Sequence, residues 1–259
     1  MTENIFITKE PKIDISKVQL AEQTRRKFER VLEEQEKGHL IRAAGLRPRY
    51  RLLFHGAAGT GKTLGAEAIA FHLNKLLHIF NLESISGTNP DDAMKTVMDA
   101  FRFINTSSDV FLFDEFDAIA NNRSSDAANN AGRRTSNALL IAFEQVTSPA
   151  ILICATNFIS TVDPAFRRRF DTICKFELPT YDERETIIRE TLQKFGMTAP
   201  EDDIYEAAKG TEGLSYHEAE ELVNAATKTA LLQKTIKVNL IPEVPAALER
   251  RNTFKQHED

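Results

Sequence analysis

Five short apolar runs constrain this chain more than anything else in it: RLLFH at 51–55, HIFNLE at 78–83, VFLFD at 110–114, AILICA at 150–155 and TICKFE at 172–177. Each is four to six residues long and lacks the polar alternation of a strand with one wet face. Such runs belong to strands covered on both sides, which is the situation of a parallel sheet. Stretches of helical periodicity at 62–74, 91–103 and 133–145 lie between them and provide the crossovers. Residues 1–178 therefore read as an α/β doubly wound domain. Leu20, Phe28, Val31, Leu32, Leu40 and Ile41 recur at helical intervals, so an amphipathic helix is expected over about 19–44, stopped by Gly45 and Pro48. After Pro179 the strand signals end. Segments 182–194, 201–209, 216–232 and 243–251 look helical, which makes 179–259 a small all-helical domain.

Composition narrows the setting. Apolar residues make up 42% of the chain, yet no apolar run reaches the ~18 residues of a membrane span. The opening MTENIFITKEPK has no basic segment followed by an apolar stretch, so it does not read as a signal peptide, and a cytoplasmic protein is expected. Cys154 and Cys174 both fall in apolar runs and read as reduced core thiols. The six histidines show no ligand spacing, which argues against a transition-metal site. A net charge of −5 does not indicate nucleic acid as the main ligand, although Arg47–Arg51 and Arg167–Arg169 are local basic clusters.

Residues 56–63, GAAGTGKT, satisfy G-x-x-x-x-G-K-[ST] and stand between an apolar run and a helical one. That context suits phosphate binding: glycines let backbone N–H groups curl around phosphate oxygens, and the helix N-terminus adds a favourable dipole. The candidate set is Gly56, Ala57, Ala58, Gly59, Thr60, Gly61, Lys62, Thr63 and Leu64. Within it, Lys62 offers a point charge to the β and γ phosphates. Thr63 offers a hydroxyl to Mg²⁺, which prefers hard oxygen ligands.

The run ending VFLFDE brings Asp114 and Glu115 to the carboxyl end of a strand, where ligands of open α/β sheets bind. Asp114 is the second candidate for holding magnesium, and Glu115 is the candidate general base for an attacking water. Asp117 either orients this loop or caps the next helix. Asn157 ends the following run and either holds water against a γ phosphate or makes a turn. Arg167, Arg168 and Arg169 form either a solvated basic turn or a source of positive charge for a phosphoryl group.

Together, GAAGTGKT, FLFDEFDAI and ATNFISTVDPAFRRRFD at 155–171 resemble the Walker A, Walker B and second region of homology of the AAA+ ATPases, in particular the classical AAA clade and its small bacterial stand-alone members. The resemblance covers roughly residues 40 to 225. It implies a P-loop NTPase domain of three αβα layers, a five-stranded parallel sheet in the order 5-1-4-3-2, and a helical lid. It implies ATP and Mg²⁺, with Asn157 as sensor 1 and Arg168 and Arg169 as arginine fingers reaching the ATP of a neighbour, hence a homo-oligomer, usually a hexamer. The partner implied is a protein substrate or companion protein, for some members a subtilisin-like peptidase. An alternative is a nucleotide-gated scaffold or regulator with slow hydrolysis. Two features depart from the family. SISGTNPDD at 84–92 has no aromatic where threading members carry one, and Tyr216 and His217 replace two small lid residues in GLSYHE at 213–218, where adenine contacts are expected to change.

Overall fold

The computed structural model describes residues 5–82, 89–116 and 139–255. Two compact units emerge: one is built from the chain up to residue 56 and from 62–176, the other from 57–61 and 177 onward.

The first unit is a six-stranded sheet ordered β1-β3-β4-β5-β2-β6. Its strands are β1 (Phe6–Lys9), β2 (Arg51–His55), β3 (Leu77–Phe80), β4 (Val110–Phe113), β5 (Ile151–Thr156) and β6 (Thr172–Lys175). The five expected runs all become parallel strands. Read by themselves along the sheet, they stand 2-3-4-1-5, the anticipated order taken from the other edge. β1 is an addition: it pairs antiparallel with β3, Phe6 opposite Phe80. Ile5, Phe6, Ile7 and Thr8 are all strand formers, but so short a run does not choose a partner. Phe6 is drawn in by a group of rings at 5.2–5.8 Å, Phe80, Phe103 and Phe111, and the Thr8 hydroxyl meets His78 Nδ1 at 2.9 Å.

Alternate strand residues feed opposite layers, as the pleat requires. Leu52, Phe54, Val110, Leu112, Ile151 and Ile153 face one core. There they meet Phe28 and Val31 of α1 (Glu22–Glu36) and Ala66 and Ile69 of α3 (Lys62–His72). Leu53, Phe111, Phe113, Leu152 and Cys154 face the other core, with Val97 and Phe101 of α4 (Pro90–Ile104) and with Phe143 and Phe166. Fully burying each such side chain contributes about 1.5–3 kcal/mol, so the doubly covered sheet is what holds the unit together. α4 starts where it does because Asn89 accepts from the Asp92 amide and Pro90 occupies the first turn. The helix expected over 19–44 is instead two: α1 stops at Glu36, and α2 (Gly38–Ala43) follows after Lys37 and a poor helix former, Gly38. A short helix α5 (Pro164–Arg167) is capped by Asp163.

The second unit contains α6 (Tyr181–Lys194), α7 (Glu201–Gly210), α8 (Tyr216–Leu232) and α9 (Glu243–Lys255). α6 and α8 both begin with capping boxes, Thr180 with Glu183 and Ser215 with Glu218. Ile188, Leu192, Ile204, Leu222, Val223 and Leu240 make its core, and the buried Arg184 ties α6 to the carbonyls of Ala208 and Pro179 at 2.8 Å each. Among the described residues no helix is long and apolar enough to cross a membrane.

Candidate functional site

β2 delivers His55 and Gly56 to the carboxyl edge of the sheet. Gly56 has φ +150°, and a Cβ there would stand 2.0 Å from the Phe176 carbonyl oxygen, so glycine alone fits. The Phe176 amide donates to the His55 carbonyl at 2.7 Å, which explains the close approach. Burial, and then Lys175, Lys27 and Lys62, hold the His55 imidazole below its ordinary pKa.

Lys62 opens α3 and is 7% exposed. Its ammonium donates to the Gly56 carbonyl at 2.7 Å and to Asn157 Oδ1 at 2.8 Å. Asn157 comes within reach because β5 pairs with β2 in parallel, His55 opposite Thr156, so both strands end at the same level. β4 ends one strand further along, Phe113 opposite Cys154. There the Thr63 hydroxyl donates to Asp114 Oδ2 at 2.8 Å, bringing together two hard oxygen ligands. Glu115 is exposed, donates its amide to Asp114 Oδ1 at 3.0 Å, and has φ +48°. A non-glycine residue in that region is strained, and such strain gathers at functional sites.

Lys62, Thr63, Asp114, Glu115 and Asn157 are thus assembled at one sheet edge by strand pairing. Leu64 follows them on α3 with 46% exposure and no part in the polar group. The loop tip belongs to the second unit. There the Thr60 hydroxyl closes onto the Ala57 carbonyl at 2.7 Å, Ala57, Ala58 and Gly59 are exposed, and the His217 amide donates to the Gly59 carbonyl at 3.3 Å. Tyr216, beside it, has its pKa raised by burial and then by Glu183, which accepts its hydrogen bond.

The three arginines have three environments. Arg167 is half-buried, and its Nε has no hydrogen-bond partner among the described residues. Arg168, the last residue held by α5, is exposed. Arg169 pairs with Glu144 at 2.5 Å and donates to the Ala165 carbonyl at 2.7 Å. Proximity in sequence concealed this difference, since adjacent residues of a helix end point in different directions. Asp117 and residues 84–88 of SISGTNPDD lie outside the described residues. Both cysteines are buried free thiols, and no group of three or more potential metal ligands gathers among the described His, Cys, Asp and Glu residues. His55, Phe176 and the Lys62–Asn157 bond were not legible in advance, because each depends on a partner about 95 to 121 residues away in sequence.

A glycine loop after the first parallel strand, a lysine inside it, and acids and an amide at the two next strand ends describe one known arrangement. Residues 52–178 match the ATPase family associated with various cellular activities (AAA). Residues 52–178 form a domain of the AAA family of ATPases. The chain is 31% identical over 208 residues to an uncharacterized AAA family ATPase of Sinorhizobium fredii, covering 80% of this chain and 62% of that protein. It is 30% identical over 247 residues to the proteasome-activating nucleotidase of Aeropyrum pernix, covering 90% of this chain and 60% of the other. The chain thus spans about 60% of the length of these curated relatives. Among solved structures, the FIGL-1 AAA domain in complex with ADP superposes with a TM-score of 0.75 at 18% identity, over 95% of this chain and 87% of that one. That likeness is one of fold.

Proposed function

We propose that the chain binds ATP with magnesium, hydrolyses it to ADP and phosphate, and uses the cycle to act on a protein partner as a homo-oligomer. The observation that carries the reading is the convergence at the carboxyl edge of the sheet of two bonded groups, Lys62 with Gly56 and Asn157, and Thr63 with Asp114. In this reading the Lys62 ammonium binds the β and γ phosphates, and loop amides from Ala57 to Thr63 donate to their oxygens. The oxygens of Thr63 and Asp114 suit a hard cation and would hold magnesium, Asp114 through its water shell. Bound there, magnesium supplies positive charge to the phosphate oxygens. Glu115 accepts a proton from the attacking water as its oxygen bonds to the γ phosphorus and the bond to ADP breaks, with Asn157 orienting that water.

Arg168 supports an active site completed by a second copy. It is exposed at the end of α5 and pairs with nothing among the described residues, so it is available to an adjacent ATP; Arg169, also a candidate finger, has an intrachain ion pair to give up first. A closed ring, hexameric in this reading, follows from such head-to-tail contacts. The protein-directed role draws on relatives named as a proteasome-activating nucleotidase and as ATP-dependent zinc metalloproteases.

The test is the pair Lys62→Ala and Glu115→Gln. Lys62→Ala should abolish ATP binding, whereas Glu115→Gln should keep ATP bound and lose about 10²-fold or more in phosphate release. Normal turnover by Glu115→Gln removes the general-base assignment, and undiminished ATP binding by Lys62→Ala removes the site.

A further inference from the structure

Asn157 does something to Lys62 besides standing near it. An ammonium has three N–H donors, and here one goes to the Gly56 carbonyl and one to the Asn157 side-chain oxygen. Lys62 is 7% exposed, so these bonds are not readily replaced by bulk water, and a charge-assisted bond in such a place is worth more than a neutral one. The Gly56 carbonyl belongs to the same loop and travels with it. Asn157 stands on a different strand end, held by the parallel pairing of β2 with β5. A phosphate oxygen engaging Lys62 therefore competes with the Asn157 amide oxygen for the same ammonium.

We propose that Asn157 sets the balance between ATP and ADP by competing with phosphate for Lys62. The inference rests on the nucleotide-binding reading above. Both nucleotides must outcompete the amide. Only ATP offers the displaced amide a third phosphoryl group with its water to engage, so only ATP compensates for the lost bond. ADP does not, and is held more weakly and released more readily than the loop alone would hold it. Asn157 is in this respect a positioning residue for Lys62, in addition to its part in orienting water.

The experiment is a titration of the purified chain and its Asn157 variants with fluorescent ADP and with a slowly hydrolysed ATP analogue, both with magnesium. Asn157→Ala removes the competitor and should bind ADP about tenfold more tightly, the ATP analogue changing much less, so that the ADP:ATP affinity ratio moves toward ADP. Asn157→Asp converts the bond into an ion pair and should weaken ADP by about tenfold. Turnover should fall in both. A residue that merely supported the fold would move both variants in the same direction, toward weaker binding. Asn157→Ser, whose hydroxyl is too short to reach Lys62 as the amide does, stands in for Asn157→Ala if that protein does not fold, with the same expected result. If the unmodified chain binds neither nucleotide, the function proposed above fails and this inference with it. If the unmodified chain binds both but Asn157→Ala binds ADP equally or more weakly, the function stands and the competition is wrong.

Discussion

Gly56→Ala is the sharpest probe of how the loop is built, because two separable costs meet at one residue. The first is backbone conformation: φ +150° is glycine territory, and forcing a side chain there costs about 1–3 kcal/mol. The second is space. The new Cβ would stand 2.0 Å from the Phe176 carbonyl oxygen, against an ordinary carbon–oxygen approach of about 3.3 Å, so backbone must move by more than an ångström. That carbonyl lies one residue past β6, whose last residue, Lys175, is paired with His55 of β2, so overpacking adds about 1–3 kcal/mol. The sum is about 2–6 kcal/mol. Gly61→Ala isolates the first cost: φ is +93°, but no atom stands within 4 Å of the added carbon, which leaves about 1–3 kcal/mol. Urea denaturation followed by circular dichroism, with the slope m checked for constancy, measures both. Gly56→Ala should unfold at a distinctly lower urea concentration than Gly61→Ala. Equal midpoints for the two variants would refute the claim that the start of the loop is packed against the end of β6.

Three other expectations follow from particular contacts. The folded chain holds the His55 pKa below its usual ~6.5, so the unfolded chain takes up the proton first; the associated stability is complete above about pH 6.5 and declines as pH falls toward the folded value. The urea midpoint should therefore drop between pH 7.5 and 5.5, and drop less in His55→Gln; equal slopes in the two proteins would rule His55 out as a source. Burial raises the Cys154 thiol well above its ordinary pKa and takes Cys174 to about 12, so a thiol reagent at pH 8 should find neither in the native chain and both after unfolding. Rapid labelling of the native protein would contradict that burial. Finally, Arg169→Ala should lower Tm by about 2 °C through loss of a half-exposed ion pair and a carbonyl bond, whereas Arg168→Ala should leave Tm unchanged, lower turnover, and recover activity when mixed with Lys62→Ala protein. Equal losses of Tm, or mixtures without recovery, would count against the separate roles.

Periodicity and local chemistry determined a good deal of this protein before any coordinates. Runs of apolar residues without polar alternation can be stable only between two covering layers, so VFLFD and AILICA announced a doubly covered parallel sheet. The lysine and threonine of GAAGTGKT and the acids after VFLF were legible because their chemistry depends on spacing and on position at a strand end, both written along the chain. Helix starts such as Thr180 and Ser215 were equally local, each needing only a glutamate three residues on. Tertiary structure alone decided what each of these groups touches. The four-residue strand at Phe6–Lys9 exists because a ring cluster from other strands receives Phe6, a contact of long sequence separation that no window around residue 6 contains. Arg168 and Arg169 are the same residue type side by side, and only the arrival of Glu144 separates an exposed guanidinium from a paired one. Likewise the competition between Asn157 and phosphate for Lys62 arises from β2 lying beside β5, a neighbourhood set by the burial of both strands rather than by anything at either residue.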